Sequence, residues 1–254
     1  MKAIEVLGLS KTYSRGKRAV DGLSFEVGTG TVTGFIGRNG AGKTTTINAM
    51  AGILRPDAGS VSILGEAVRP GDWRYKSRVG FLMERPNYIE NLTGREYLRF
   101  ACVMQKIPKS EATARIEELL GFFELDSEAG KTIRDYSKGM KKKISLAAAL
   151  IHNPELLVLD EPLEGVDPVS ANMIKNFLLS FAEKGKSVFV SSHELGAIEK
   201  ICGDLVIVDN GRLLYRGTAD GLKAAVGGDG QTSLEELFVS LVAKGRKSDG
   251  LSWL

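Results

Sequence analysis

The early part of the chain alternates between apolar and polar positions in the way that β-strands do. Within residues 3–36, the segments AIEVLGL, GLSFEV and TVTGFIG show this alternation or a bias toward β-branched and aromatic side chains. Glycine-rich turns separate them. SVSIL and RVGFLM predict two further strands, bounded by Pro and Gly. The chain therefore begins with a β-rich region.

Helical periodicity interrupts this pattern twice. A helical stretch follows GRNGAGKTTT and ends at Ala51. From residue 93 to about residue 120, apolar residues recur every three to four positions, first in GREYLRFACVMQ and then, beyond Pro108, in SEATARIEELLGFF. We interpret this second stretch as a helical insertion.

Strands and helices alternate in the second half of the chain. ELLVLD, SVFVSS and DLVIVDN predict strands, and residues 169–183 and 194–201 predict helices. This rhythm is typical of a parallel sheet covered by helices on both faces. An amphipathic helix, SLEELFVSLVAK, and a polar segment follow.

Composition narrows the class of protein. The 254 residues, 43% hydrophobic and 26% charged, predict a soluble globular protein with one large domain or two closely packed subdomains. A net charge of +3, from 34 basic and 31 acidic residues, argues against nucleic acid as the main partner. Cys102 and Cys202 lack any metal-ligand spacing, which indicates a reducing compartment. We expect no signal peptide and no membrane span.

The segment GRNGAGKT, residues 37–44, matches the phosphate-binding pattern G-x-x-x-x-G-K-[ST] between a predicted strand and a predicted helix. Glycines 37, 40 and 42 allow backbone N–H groups to face an anion at the start of the helix. Lys43 is expected to reach the β- and γ-phosphates and Thr44 to bind Mg²⁺. An accidental glycine-rich turn is the alternative; a kinase, a GTPase and a motor ATPase would all share this loop.

Polar residues follow two of the predicted buried strands. Asp160 and Glu161 end ELLVLDEP, where open parallel sheets place ligand chemistry. Asp160 is expected to hold Mg²⁺ and Glu161 to act as general base toward water. The alternative is an acidic strand end that caps the next helix. His193, after SVFVSS, is expected to contact the γ-phosphate, although a single histidine is more often a core or helix-start residue.

The segment YSKGMKKKIS, residues 136–145, combines a Ser-x-Gly turn with a helix start and three successive lysines. Ser137 and Gly139 have the features of a phosphate site. Lysines 141–143 would spread over roughly 200° of the helix, so most of them are expected to be solvated. One ATP needs only one phosphate-binding loop, yet the chain offers two candidate phosphate sites. We therefore expect two copies to pair head to tail, each Ser137 turn closing over the other copy's phosphate loop.

With these residues in place, the chain resembles the ATP-binding subunits of ABC transporters from residue 4 to about residue 241. GRNGAGKTT resembles the P-loop, YSKGM the signature, LLVLDEP the magnesium and base strand, EGVD the D-loop and SSHEL the switch-histidine loop. The resemblance implies an α/β fold: a P-loop NTPase core with a mainly parallel sheet, an N-terminal antiparallel β-subdomain and an inserted helical subdomain. It also implies a single ABC ATPase domain over residues 1–241, with the helical subdomain at about 86–150 and a polar tail at 242–254.

The resemblance also assigns roles to individual residues. Catalytic roles fall on Glu161, His193 and Lys43, and metal contacts on Thr44, Asp160 and Glu84. The remaining ATP contacts include Tyr13, expected to stack on adenine, and Asp167 of the D-loop. The full set of ATP-binding positions is Tyr13, Gly37, Arg38, Asn39, Gly40, Ala41, Gly42, Lys43, Thr44, Thr45, Glu84, Ser137, Gly139 and Asp167.

Three residues depart from the family pattern. Glu84 stands where the family usually has glutamine, which puts a direct metal contact in doubt; Lys138 replaces a common glycine and Met140 a common glutamine. Lys138 either adds positive charge near the γ-phosphate or faces solvent, and solvent is the preferred interpretation. Such variants occur in the subgroup that resembles exporters of drugs and small solutes.

The resulting hypothesis is an ATP-hydrolysing subunit that uses ATP, Mg²⁺ and dimerisation to power a membrane transporter, with export as the expected direction. Its expected partners are a separate permease chain docked near residues 84–98 and a second copy of itself, with no nucleic acid. The expected location is the cytoplasmic face of the cell membrane. A soluble ABC-like ATPase of nucleic-acid or regulatory machinery, or a P-loop kinase, remains the alternative.

Overall fold

The computed structural model describes residues 1–86, 88–226 and 232–243, without the side chains of residues 15, 197 and 198. Within these described ranges, ten strands form two sheets, and eight α-helices pack around them. The first sheet is antiparallel and has the order β2-β1-β4-β5. Its strands are β1 (Lys2–Thr12), β2 (Arg18–Gly28), β4 (Ala58–Ile63) and β5 (Glu66–Ala67).

The second sheet has the order β10-β9-β3-β8-β7-β6 and is parallel except for β10. Its middle strands are buried along their whole length, as a sheet covered on both faces requires. Its strands are β3 (Val32–Ile36), β6 (Val79–Leu82), β7 (Leu156–Asp160), β8 (Ser187–Ser192), β9 (Asp204–Asp209) and β10 (Arg212–Gly217).

The helices begin where capping residues permit. Thr93 and Glu96 form a capping box at the start of α2, and Ser137 and Asp167 accept backbone N–H bonds at the starts of α4 and α5. The helices are α1 (Lys43–Met50), α2 (Gly94–Met104), α3 (Lys109–Phe122), α4 (Lys138–Leu150), α5 (Pro168–Glu183), α6 (Leu195–Ile198), α7 (Ala219–Val226) and α8 (Leu234–Ala243). Four short 3₁₀ turns lie at Ser14–Gly16, Arg74–Ser77, Asp126–Glu128 and Ile133–Asp135.

The apolar core lies on both faces of the parallel sheet. Between the two sheets, Phe25, Phe35 and Phe189 form an aromatic layer with ring centroids 5.0–5.9 Å apart. On the other face, helices α2 to α5 and α8 supply a second cluster. This arrangement confirms the predicted α/β fold with an N-terminal antiparallel sheet and a mainly parallel sheet.

The predicted elements near the end of the chain differ from the structure in their bounds. The helix predicted over residues 194–201 is shorter, because α6 ends at Ile198 and a turn follows. The predicted tail helix is α8, which ends at Ala243, and the rest of the predicted polar tail, residues 244–254, lies outside the described residues. The division into one domain over residues 1–241 with a helical subdomain at 86–150 stays a prediction.

Helix α4 approaches β6 so closely that Gly80 leaves no room for a side chain. A Cβ on Gly80 would lie 2.2 Å from the carbonyl oxygen of Ala149. We predict that Gly80→Ala lowers the free energy of unfolding by about 2 kcal/mol, since overpacking must displace α4. Urea unfolding measures this. Gly28→Ala, where the added methyl meets nothing within 4 Å, is the control and should change it by less than about 0.5 kcal/mol; equal effects would contradict the explanation.

Candidate active site

Three neighbouring parallel strands end side by side, and this brings most of the predicted site residues together. In the sheet, Ile36 of β3 pairs with Ser192 of β8, and Asp160 of β7 pairs with Ser191. Residues 37–42, 160–161 and 191–193 therefore leave the sheet at the same edge. This adjacency explains why segments that are distant in sequence form one site.

The phosphate loop connects β3 to α1 through backbone conformations that favour glycine. Gly40 and Gly42 have φ values of +82° and +102°. Gly37 packs against β9, and a Cβ on Gly37 would lie 2.5 Å from the carbonyl oxygen of Val208. The loop is further fixed by Gly211, whose N–H donates to the carbonyl oxygen of Ala41 over 3.0 Å. The glycines at these positions are thus required by turn geometry and close packing.

Lys43 is the buried cation of the site. Its Nζ donates to the carbonyl oxygen of Gly37 over 2.7 Å and lies 3.6 Å from Oε1 of Glu161. Both side chains are less than a tenth exposed. Burial makes each charge costly alone, so the pair holds the loop and the end of β7 at a fixed separation.

Glu161 has a strained backbone and a carboxylate held from two sides. Its φ is +49°, which is uncommon for a residue with a side chain. Its Oε2 accepts the backbone N–H of His193 at 3.4 Å and lies 3.0 Å from Nδ1 of that ring. Its own N–H donates to Oγ of Ser191 over 3.1 Å. The carboxylate therefore lies between Lys43 and His193 in a set position.

Asp160 is fully buried beside Glu161. Its Oδ1 accepts a hydrogen bond from Oγ of Ser191, and its Oδ2 has no partner among the described residues. Burial raises the pKa of Asp160, an effect that the hydroxyls of Ser191 and Thr44 oppose and that the charges of Glu84 and Glu161 increase. A buried carboxylate oxygen without a partner is costly unless another group completes it.

These oxygen atoms fit a magnesium ion. The unpartnered Oδ2 of Asp160 and the hydroxyl of Thr44 are the hard ligands that Mg²⁺ takes. In the present arrangement, Oγ1 of Thr44 donates to Oε2 of Glu84 over 3.0 Å. No group of three or more His, Cys, Asp or Glu side chains within the described ranges could hold a metal, so such an ion would need oxygen ligands from the nucleotide phosphates.

A cavity of about 430 Å³ opens above the loop and collects most of the predicted residues. Tyr13 borders it, 42% exposed, with its hydroxyl 3.4 Å from Oγ1 of Thr45. Gly37 and Ala41 belong to the same loop without lining the cavity, and Asp160 is buried beneath it. The lining residues are Tyr13, Lys17, Ala19, Arg38, Asn39, Gly40, Gly42, Lys43, Thr44, Thr45, Glu84, Glu161, Glu164 and His193.

Three further predicted ATP contacts lie outside both the cavity lining and the phosphate loop. Ser137 is exposed at the start of α4, where its Oγ accepts the N–H of Met140 over 3.1 Å. Gly139 follows it and faces Gly165. Asp167 caps α5 through the N–H of Ser170. Within one chain, these residues and the phosphate loop are not brought together.

The structure corrects the prediction for the lysines of α4. Lys142 and Lys143 are only 4% and 8% exposed, so the expectation that most of residues 141–143 are solvated is wrong for these two. Burial follows from the position of α4, which packs on several sides against the core. Lys138 is 65% exposed, in agreement with the preferred interpretation that it faces solvent. Its Nζ also lies 2.7 Å from Oε1 of Glu164.

Sequence reasoning missed four residues of the site. Ser191 bridges Asp160 and the backbone of Glu161, and its place at the end of β8 beside His193 was the available signal. Lys17, Ala19 and Glu164 line the cavity. Lys17 and Ala19 follow Tyr13 closely in sequence, and Glu164 is the first residue of EGVD. Their residue types alone do not identify them as site residues.

Comparison with known proteins decides the family. Residues 20–164 match the model of the ABC transporter family. The chain belongs to this family. It is 39% identical over 227 residues to the daunorubicin resistance ATP-binding protein DrrA3 of Streptomyces coeruleorubidus, covering 89% of this chain and 72% of that protein. It is 35% identical over 227 residues to a fluoroquinolones export ATP-binding protein of Mycobacterium tuberculosis (strain CDC 1551 / Oshkosh), covering 88% of this chain and 73% of that protein.

A solved structure shares the fold. An ATP-binding subunit of an ABC transporter, 33% identical, superposes with a TM-score of 0.87 over 94% of this chain and 99% of the other. As an ABC transporter ATP-binding subunit, the chain binds and hydrolyses ATP to power a membrane transporter. Across the described ranges, every helix is too short or too polar to cross a membrane.

Burial of the Asp160 carboxylate lowers the stability of the folded chain at neutral pH. Because its raised pKa means that the folded chain holds this proton more tightly than the unfolded chain, ionisation at neutral pH lowers the free energy of unfolding. We predict that Asp160→Asn raises this free energy by about 1 kcal/mol near neutral pH. The gain should shrink as the pH falls through the raised pKa of the folded state toward 3.8, the ordinary pKa of an aspartate, because Asp160 then becomes protonated and neutral.

Urea unfolding of the nucleotide-free protein at several pH values measures this gain. Asp126→Asn is the control, since Asp126 is exposed and should change the free energy by less than about 0.5 kcal/mol. A loss of stability in Asp160→Asn at neutral pH would contradict the electrostatic explanation.

Proposed function

We propose that two copies of this chain close head to tail around two ATP molecules, hydrolyse them and thereby drive a membrane permease that exports small molecules. The observation that carries the proposal is the division of the site. The cavity holds Lys43, Thr44, Glu161 and His193, whereas Ser137 lies outside it. Two half-sites on one chain are completed by a second copy in the opposite orientation.

In the first half-site, each side chain has a chemical role that its position supports. The Lys43 ammonium, now bonded to Gly37, would exchange that contact for phosphate oxygens. Thr44 and Asp160 would hold Mg²⁺, which offsets the charge of the phosphates when it is bound. Glu161 would take a proton from the attacking water on the carboxylate that Lys43 and His193 hold. Tyr13, at the cavity edge, would stack on adenine.

The second half-site lies at the start of α4. Ser137 is exposed, and although its Oγ accepts the N–H of Met140, its hydroxyl proton is free to be donated to an anion. The positive end of a 13-residue helix is at the same place. Asp167 at the start of α5 is expected to contribute near the same interface. Contacts made only when γ-phosphate bridges both copies would favour the closed pair.

A second groove supports the proposed permease contact. A cavity of about 510 Å³ lies beside the expected docking region at residues 84–98 and combines apolar and cationic side chains. Ile53, which lines it, is 67% exposed. An exposed apolar groove of this kind fits an amphipathic helix from the permease. Its lining includes Ile53, Lys76, Phe81, Met83, Arg85, Pro86, Tyr97 and His152.

The names of the relatives support export as the direction of transport. One relative is named for daunorubicin resistance and another for fluoroquinolones export. By this likeness we assign the chain to an exporter of small molecules, at the cytoplasmic face of the cell membrane where ATP is supplied.

The role of Glu161 is tested by Glu161→Gln. We expect the rate of ATP hydrolysis to fall by about 100-fold or more while ATP binding persists, because the amide keeps the shape of the side chain but cannot accept the proton. Phosphate release and equilibrium binding of fluorescent ATP measure the two effects. Glu118→Gln, an exposed carboxylate of α3 outside the cavity, is the control and should leave both unchanged. Hydrolysis near the normal rate would disprove the base assignment.

The second half-site is tested by Ser137→Arg. A bulky cation at the start of α4 would obstruct the other copy, so hydrolysis should fall by about tenfold or more without loss of ATP binding by the single chain. Ser180→Arg, at an exposed position on α5, should hydrolyse ATP normally. Loss of hydrolysis in both variants, or in neither, would contradict a role for Ser137.

A further inference from the structure

Lys142 is a buried cation that the proposed reaction does not yet use. It is 4% exposed, and its Nζ has no hydrogen bond and no carboxylate within 4.0 Å among the described residues. A lysine is rarely so buried unless opposite charge lies near it, because removal of an ammonium from water is costly. Its retention therefore requires an explanation from its surroundings.

The geometry of α4 directs Lys142 toward the segment that carries the catalytic carboxylates. Lys138 lies four residues earlier, on the same helix face, and contacts Glu164 at 2.7 Å. The first turn of α4 packs directly on this segment, since a Cβ on Gly165 would lie 2.7 Å from Cδ of Lys138. A Cβ on Gly139 would lie 3.5 Å from the carbonyl oxygen of Gly165.

Three carboxylates lie near enough to act on the charge of Lys142 without contacting it. Burial lowers the pKa of Lys142, the charges of Glu164, Asp160 and Glu161 raise it, and the charge of Lys138 lowers it. The pKa of Glu164 is lowered first by Lys138, with Lys142 adding to the effect. Asp160 and Glu161 are themselves buried, so solvent screens their attraction to Lys142 less than it would at the surface. Lys142 is thus the buried counter-charge behind the carboxylates of residues 160–164.

We propose that Lys142 is a positioning residue for ATP hydrolysis, which holds the segment 160–164 against α4 and so keeps Glu161 in place. This inference rests on the proposed role of Glu161 as the base. Ser137 caps α4, the helix that carries Lys142. Through α4, Lys142 therefore connects the position of Ser137 to the position of Glu161 in the same chain. Movement of Ser137 in one site is thereby coupled to the position of Glu161 in the other.

The test compares steady-state hydrolysis by Lys142→Met, Lys142→Arg and Lys141→Met. Methionine keeps an apolar stem and removes the charge, so kcat should fall by about tenfold with KM for ATP changed by less than about twofold. Lys142→Arg should restore kcat to within about threefold of the original protein, since the charge returns. Lys141→Met is the matched control: this neighbouring lysine lies over the ring of Tyr88, and its loss should leave kcat unchanged.

A double variant separates positioning from a merely structural role. In a Glu164→Gln background, Lys142→Met should lower kcat by only about two- to threefold, because one of the charges that it opposes is gone. An unchanged kcat in Lys142→Met would overturn the inference. So would equal losses in Lys142→Met and Lys142→Arg accompanied by a lower melting temperature, which indicates packing alone. Either result leaves the Glu161→Gln test intact, so failure of this inference is distinguishable from failure of the proposed function.

Discussion

The structure depends on one electrostatic constraint: a lysine ammonium and a glutamate carboxylate are buried together at the edge of a parallel sheet. Lys43 and Glu161 lie 3.6 Å apart, and both are largely removed from water. Neither charge would be stable there alone. The pair is possible because the sheet places the ends of β3, β8 and β7 side by side, so that loops from distant parts of the sequence meet. The phosphate loop, Asp160 and His193 are all arranged around this pair.

Two features near this pair are unfavourable in the structure, and a bound nucleotide and metal would offset them. Asp160 has a buried oxygen without a partner in the described structure, and Glu161 has a backbone conformation that side chains disfavour. Such features lower stability in the absence of ligand and are found where function requires them. Ser191 limits the cost, since one hydroxyl bonds to Asp160 and accepts the N–H of Glu161. Under the proposed function, such a site would gain stability when ATP binds, and this gain would couple the chemistry to closure.

The central residues were predictable because each stands at the end of a strong local pattern. Residues 37–44, Asp160, Glu161 and His193 follow buried strands, and strand ends in one parallel sheet meet at one edge. Tyr13 and Glu84 came from resemblance, since nothing in their local sequence marks them. The burial of Lys142 and Lys143 was not predictable from spacing, because periodicity defines the angle between lysines but not how many sides of α4 are packed. Ser191 and Glu164 acquire their roles only through tertiary contact. The short α6 likewise reflects local turns that propensity does not resolve.

Closure of two copies around ATP is the central proposal, and the mass of the protein in solution tests it most directly. The base-deficient Glu161→Gln protein, with ATP and Mg²⁺, should have twice the 27.4 kDa mass of the single chain in sedimentation or light scattering. It should return to 27.4 kDa when ADP replaces ATP. If this protein, whose Ser137 turn is intact, stays at the single-chain mass with saturating ATP and Mg²⁺, the two half-sites do not meet and the proposed mechanism is wrong.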